Sequence, residues 1–408
     1  MKSKHLNRLL PLWGIVSALL AILLTIGCEV NILPTDDDLT SDPELEERFT
    51  AYTTFELVPA DIYEQALAAG TTGSFEINIP LSDGQTWVAE VHQGNMLAEG
   101  FKAIENGPGG ETEREVDIIA LEGVIKETGA AVRFVVSRSL FGGAVVENDQ
   151  IWYIDPITKH TKDRLEPTGQ CVLYREQDVM EKKVTEFDHG YIQDAHHETY
   201  PDSPAPGTEE RAANCWKLEL RAHGDYEYYA NKCGSNYNLA VYAIALNFGQ
   251  AEAKFNAINL DFSILSIDVF TSTSNTLYYP TATDIMTLWQ QTQYMWNANT
   301  ANRDLVILFT GKNTTYLGYP SSFISYTASV CKSPSNAYAV LKTGLGSNLQ
   351  VNTLARVIGV ALGAGVTTSG IMSSPVPSGV ASFSSTSINQ MNWHLWFNNG
   401  CLHQGACW

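Results

Sequence analysis

Residues 354–374 read LARVIGVALGAGVTTSGIMSS. Apolar side chains run from 351 to 362, and Arg356 is the one charge among them. Gly363 follows where a helix needs a left-handed residue to end it. A Gly-Ile-Met-Ser turn occupies 370–373. The reading is a buried helix, a glycine bend and a turn around Met372.

The chain around this stretch alternates strand and helix. Residues 216–230 alternate and are rich in aromatics, so they read as a strand. Residues 237–258 carry Leu239, Ala243, Leu246 and Phe255 at helical spacing. Strands are expected at 262–271, 304–310, 321–330 and 337–342, and helices at 284–298 and 384–398. Thr283 and Asp284 supply the N-cap of the helix at 284–298. The fold class is therefore α+β, with a mixed five-stranded sheet and helices in the domain at 214–408.

The preceding region, 49–187, shows short alternating runs between glycine and Asp-Gly breaks, among them 74–79, 86–91, 131–136 and 150–154. It reads as all-β. Between the two, Pro201, Pro204 and Pro206 stop regular structure, so 188–213 reads as a linker. His196, His197 and Glu198 lie in it, and neighbouring residues in a flexible loop make a poor metal site. Charge divides at the same place. Residues 29–211 hold 37 acidic and 13 basic side chains, whereas 214–408 hold 8 and 9. The net charge of −20 excludes nucleic acid as a partner.

The N-terminus has basic residues, an apolar run from 9 to 26, then Gly27 and Cys28. That is the layout of an export signal over 1–27. Residues 24–28, LTIGC, resemble a bacterial lipobox, which implies lipidation of Cys28, a polar tether over 28–48 and a place on the membrane surface of a bacterial cell envelope. A single transmembrane anchor is the competing reading, although the run is short for a span. Cys171, Cys215, Cys233, Cys331, Cys401 and Cys407 remain, and an even count in an exported chain favours disulfides.

Taken in order, these features resemble the reprolysin (adamalysin/ADAM-type) branch of the metzincin metallopeptidases. Gly363, the Leu-Gly-Ala run at 362–364, Met372 as the Met-turn residue and Cys401-Leu402 after the last helix carry the resemblance. It implies a Cys331–Cys401 bridge. It also aligns 121–125, 134–139, 142–144 and 151–156 with the pro-domain of those proteases, with Cys171 near its end.

The zinc motif of that family is H-E-x-x-H-x-x-G-x-x-H. Arg356 stands at the first histidine, Val357 at the catalytic glutamate, and Val360 and Val366 at the other two histidines. Positions 356 and 360 share one helical face, and the bend at Gly363 brings in the third. Valine has no donor atom, and arginine offers only N–H groups and a permanent positive charge. Val357 cannot accept a proton from water. Thr367 and Thr368 are weak ligands, and His394 and His403 lie on or beyond the terminal helix. The residues therefore imply no cofactor and no catalytic group.

The leading reading is an inactive metallopeptidase homologue at the cell envelope that binds peptide or protein. Residues 321–330 are its candidate edge strand, and Arg356 lines a remaining cleft or reaches its mouth. An active zinc endopeptidase with non-standard ligands and a structural or adhesion lipoprotein are the alternatives.

Overall fold

The structure, a computed structural model, describes residues 42–81, 84–147, 150–161, 168–180, 191–192, 215–275, 281–296, 303–344, 347–374, 379–380 and 382–405. The export signal, Cys28, the tether up to residue 41, most of the linker with His196, His197 and Glu198, and Cys407 lie outside the described residues. Residues from Pro43 onward form one compact unit.

The first sheet is wholly antiparallel. Its order is β1 (Thr53–Glu56), β10 (Gln170–Arg175), β9 (Gln150–Pro156), β8 (Phe141–Glu147), β7 (Ala131–Ser137), β6 (Ile118–Ile125), β3 (Thr86–Gln93), β2 (Ser74–Pro80). The region is not purely β, because Pro59–Ala69 forms a helix, α1. Pro59 opens it, where a missing N–H costs nothing. Ile62, Tyr63 and Ala66 recur at helical spacing and are buried against one face of the sheet with Phe134 and Ile77.

The second sheet has the expected five-stranded mixed core. Its order is β17 (Phe323–Tyr326), β18 (Tyr338–Lys342), β14 (Leu305–Thr310), β12 (Cys215–Gly224), β13 (Leu260–Phe270). Only β17 runs antiparallel to its neighbour. Segments from the other half of the chain extend this core at both edges. β4 (Leu97–Gly107) pairs in parallel with β13 and carries β5 (Gly110–Arg114) beyond it. At the opposite edge, β11 (Tyr191–Ile192) pairs in parallel with β17. The 49–187 region thus does not close on itself. Near the C-terminus, β19 (His403–Gly405) pairs with the start of β12.

The predicted strand at 216–230 ends at Gly224. Asp225 then caps a short helix, α2 (Tyr226–Lys232), by accepting the Tyr228 N–H at 2.7 Å. The next helix, α3 (Tyr237–Glu252), is apolar on nearly every side, and twelve of its residues are buried. Such a helix belongs inside a protein, and this one lies between the two sheets. Gly249 faces Met96 and Val135, and the Tyr242 hydroxyl donates to the Val135 carbonyl. Of the expected stripe on this helix, Leu246 is buried while Leu239 and Ala243 are only half-buried.

Polar groups also cross between the halves. Asp155 is fully buried and accepts from Lys159 Nζ at 2.8 Å, Tyr174 OH at 2.7 Å and Gln250 Nε2 at 2.8 Å, and pairs with His160 Nε2 at 2.9 Å. Burial alone would raise its carboxyl. The Lys159 ammonium and the His160 and Lys159 hydrogen bonds outweigh burial and hold it well below the usual carboxylate range. Lys254 donates to Glu176 at 2.6 Å, with both side chains buried. Burial is matched by pairing at each site, as buried charge requires.

Candidate functional site: the helix, glycine bend and turn at 347–374

After α4 (Ile285–Trp296) and the short strands β15 (Thr315–Tyr316) and β16 (Tyr319–Pro320), the chain forms α5 (Ser347–Ala361), its glycine bend and the turn beyond it. Gly363 has φ +86°, a value that L side chains rarely adopt, and its N–H bonds the Val360 carbonyl at 2.9 Å. Ala364 N–H bonds Gly359 O at 2.8 Å. The other carbonyls at this helix end are met from the segment after β17. Ala328 N–H reaches Val360 O at 2.9 Å and Val330 N–H reaches Ala361 O at 3.1 Å. The carbonyls of Gly359, Val360 and Ala361 are thus bonded within the chain.

Met372 sits beneath the helix, fully buried. A Cβ at Gly359 would lie 3.1 Å from its sulfur and 3.1 Å from the Phe383 ring, so helix and turn meet backbone to side chain. Thr367 and Ser373 form a parallel bridge that closes the turn, and Thr367 N–H donates to Met372 O at 3.2 Å.

The positions aligned with the zinc motif divide. Arg356, Val357 and Val360 are fully buried, whereas Val366 is 55% exposed. Arg356 was expected to line a cleft or reach its mouth, and its side chain is buried against the turn and β17. Its Nη1 donates to Ser373 O at 2.7 Å, and its guanidinium lies 5.2 Å from the centre of the Phe323 ring. A buried cation needs hydrogen bonds and a polarisable face, and the turn and β17 supply both. Val357 packs in the core, and its carbonyl accepts from Ser325 Oγ at 3.2 Å.

A zinc ion does not fit these residues. No side chain at 356, 357, 360 or 366 carries a lone pair for it, and the arginine charge opposes it. His394 is buried and bonds Val330 O through Nε2 at 2.8 Å, so it braces the terminal helix α6 (Ser385–Phe397) rather than facing 356. His403 lies on β19.

The expected edge strand is shorter than 321–330. Its pairing ends at Tyr326, because Ala328 takes a left-handed φ of +53° and gives its N–H to the helix end. Its outer edge is taken by β11, with Tyr191 opposite Ser325 and Ile192 opposite Tyr326. Sequence reading missed this contact, since nothing about residues 191–192 marks them as a strand.

Cys331 and Cys401 form a disulfide. Cys215 is also disulfide-bonded, and Cys171 and Cys233 are free and buried. Among the described residues one group approaches metal-ligand spacing, namely Asp304 with Cys331 and Cys401, and its sulfurs are already bonded to each other.

No protein-family model matches the chain, and no curated protein matches it. Among solved structures it is similar to metalloproteinase-II from Bacteroides fragilis. The TM-score is 0.46 and the identity 11%, over 81% of this chain and 94% of that one.

Proposed function

We propose that this chain is a non-hydrolytic relative of the reprolysin-like metzincins, exported and lipid-anchored at Cys28, that holds a peptide strand rather than cutting one. The observation that carries this reading is the burial of Arg356, Val357 and Val360 at the ligand and general-base positions, with the Arg356 guanidinium committed to Ser373. The helix, glycine bend and Met372 turn support the metzincin relation, and the chemistry at those positions supports inactivity. The parallel pairing of Tyr191–Ile192 on β17 supports strand-holding, because an edge that accepts one extended segment accepts another by the same backbone bonds once the first has left it.

Elemental analysis of the purified chain tests the first half. The expected result is no stoichiometric zinc and no hydrolysis of unfolded protein substrates. Stoichiometric zinc that disappears on substituting a named side chain would overturn it. The combined variant Arg356→His, Val357→Glu, Val360→His and Val366→His tests the relation to metzincins. It is expected to take up one zinc ion, and a folded quadruple variant that takes up none removes that relation.

A further inference from the structure

We propose that Cys331–Cys401 is an exchangeable disulfide, opened by an external dithiol, with Asp304 as proton donor to the departing sulfur. A carboxylate oxygen of Asp304 lies within 4.8 Å of both sulfurs. All three residues line an open pocket of about 550 Å³, together with Glu219, Arg303 and His403. Both cysteines are partly exposed, so an incoming thiol has access. Asp304 itself is only 4% exposed and held in place, with Oδ2 accepting the Glu219 N–H at 2.7 Å. A carboxyl held within 4.8 Å of both sulfurs and facing a pocket is placed to pass a proton to either through one water.

The groups around Asp304 set its protonation. Burial raises it to about 7, the Glu219 N–H bond lowers it, the Glu219 carboxylate raises it and Arg303 lowers it. His403 Nε2 stands 3.6 Å from Glu219 and lines the same pocket. A proton is thus held near neutrality next to a bond whose cleavage creates a thiolate.

One thiolate of the dithiol attacks a sulfur of the pair, the S–S bond breaks, and its electrons pass to the other sulfur, which takes the Asp304 proton. The second donor thiol loses its proton to Asp304 and attacks the mixed disulfide. The departing cysteine takes that proton back, and solvent reprotonates Asp304. The dithiol becomes a disulfide and the chain gains two thiols. Among the described residues the free thiols do not compete, because Cys171 and Cys233 are buried and burial raises both, Cys233 to about 12. Opening the bond releases the end of α6 and the segment leading to β19 from the turn at 331.

The test is timed reduction of the full chain with dithiothreitol under native conditions. Free thiols are alkylated, and Cys331, Cys401 and Cys215 are read separately by peptide mass spectrometry. Cys331 and Cys401 are expected to open before Cys215. Their rate, normalised to thiolate concentration, is expected to fall as pH rises through about 7. Asp304→Asn keeps an acceptor for the Glu219 N–H. It is expected to react roughly ten- to a hundredfold more slowly at pH 6, with no pH step. A bond that opens no sooner than that of Cys215, or an Asp304→Asn variant with the wild-type rate and profile, overturns the proposal. If Asp304→Asn does not fold, a flat wild-type profile overturns it alone.

Discussion

Lys254 and Glu176 come from opposite halves of the chain and meet with both charges buried. A buried pair adds little beyond what two apolar residues would, yet removing one partner strands the other. Lys254→Met is therefore expected to lower stability by about 3–5 kcal/mol. Adding Glu176→Leu is expected to restore most of that loss, as read from urea denaturation midpoints. Equal losses in the single and double variants would mean that the pair is not held as described. Pairings of this kind were not readable beforehand, since 78 residues separate the partners. The lack of donor atoms at 356, 357, 360 and 366 was readable, because it follows from residue type alone. The burial of Arg356 was not, because it depends on Phe323 and Ser373 arriving from elsewhere in the chain.

Among elements, β11 carries the clearest expectation. Proline removes the ladder N–H, so a variant carrying Tyr191→Pro and Ile192→Pro should leave the outer edge of β17 open. Hydrogen exchange at the outward amides of 323–326 is expected to quicken, while that at 305–310, in the middle of the sheet, stays slow. Unchanged exchange at 323–326 would show that β11 does not cover this edge in solution. The long apolar runs made β14, β18 and α5 legible in the sequence, since continuous apolar runs mark buried elements whatever packs on them. Helix α1 was missed because its short helical stripe sits among runs with strand-like alternation, which set the reading of the whole region. Helix α2 was missed because aromatic residues continue past Gly224 and Asp225, so the break there does not stand out from the alternation. The placement of β4 beside β13 was invisible, because alternation shows that a strand exists but not its partner.

For the molecule as a whole, buried carboxyls set the response to pH. Burial raises Glu252 to about 8, Asp268 and Asp304 to about 7 and Asp225 to about 6. Unfolded, these groups titrate near 4. Between those values the native state holds protons that the unfolded chain has released, so stability falls as pH rises. His223 acts the other way. Burial, then Arg221 and Arg303, lower it to about 3, and its effect is confined to pH below its unfolded value near 6.5. Calorimetric Tm is thus expected to decline from pH 6.5 to 8.5, and Glu252→Gln to flatten the decline. A Tm that climbs across that interval would contradict the burial of these groups.

The position of β4 also bears on how the chain is built. Leu97 lies opposite Ile264 and Asn106 opposite Phe270, so more than 150 residues must be made before β4 finds its neighbour. Until then its unpaired edge, and the apolar face that awaits α3, stand open. A contact this distant in sequence slows folding and prolongs the exposure of sticky surface. The first half cannot mature while the second is still being synthesised, and both must be present before either is finished.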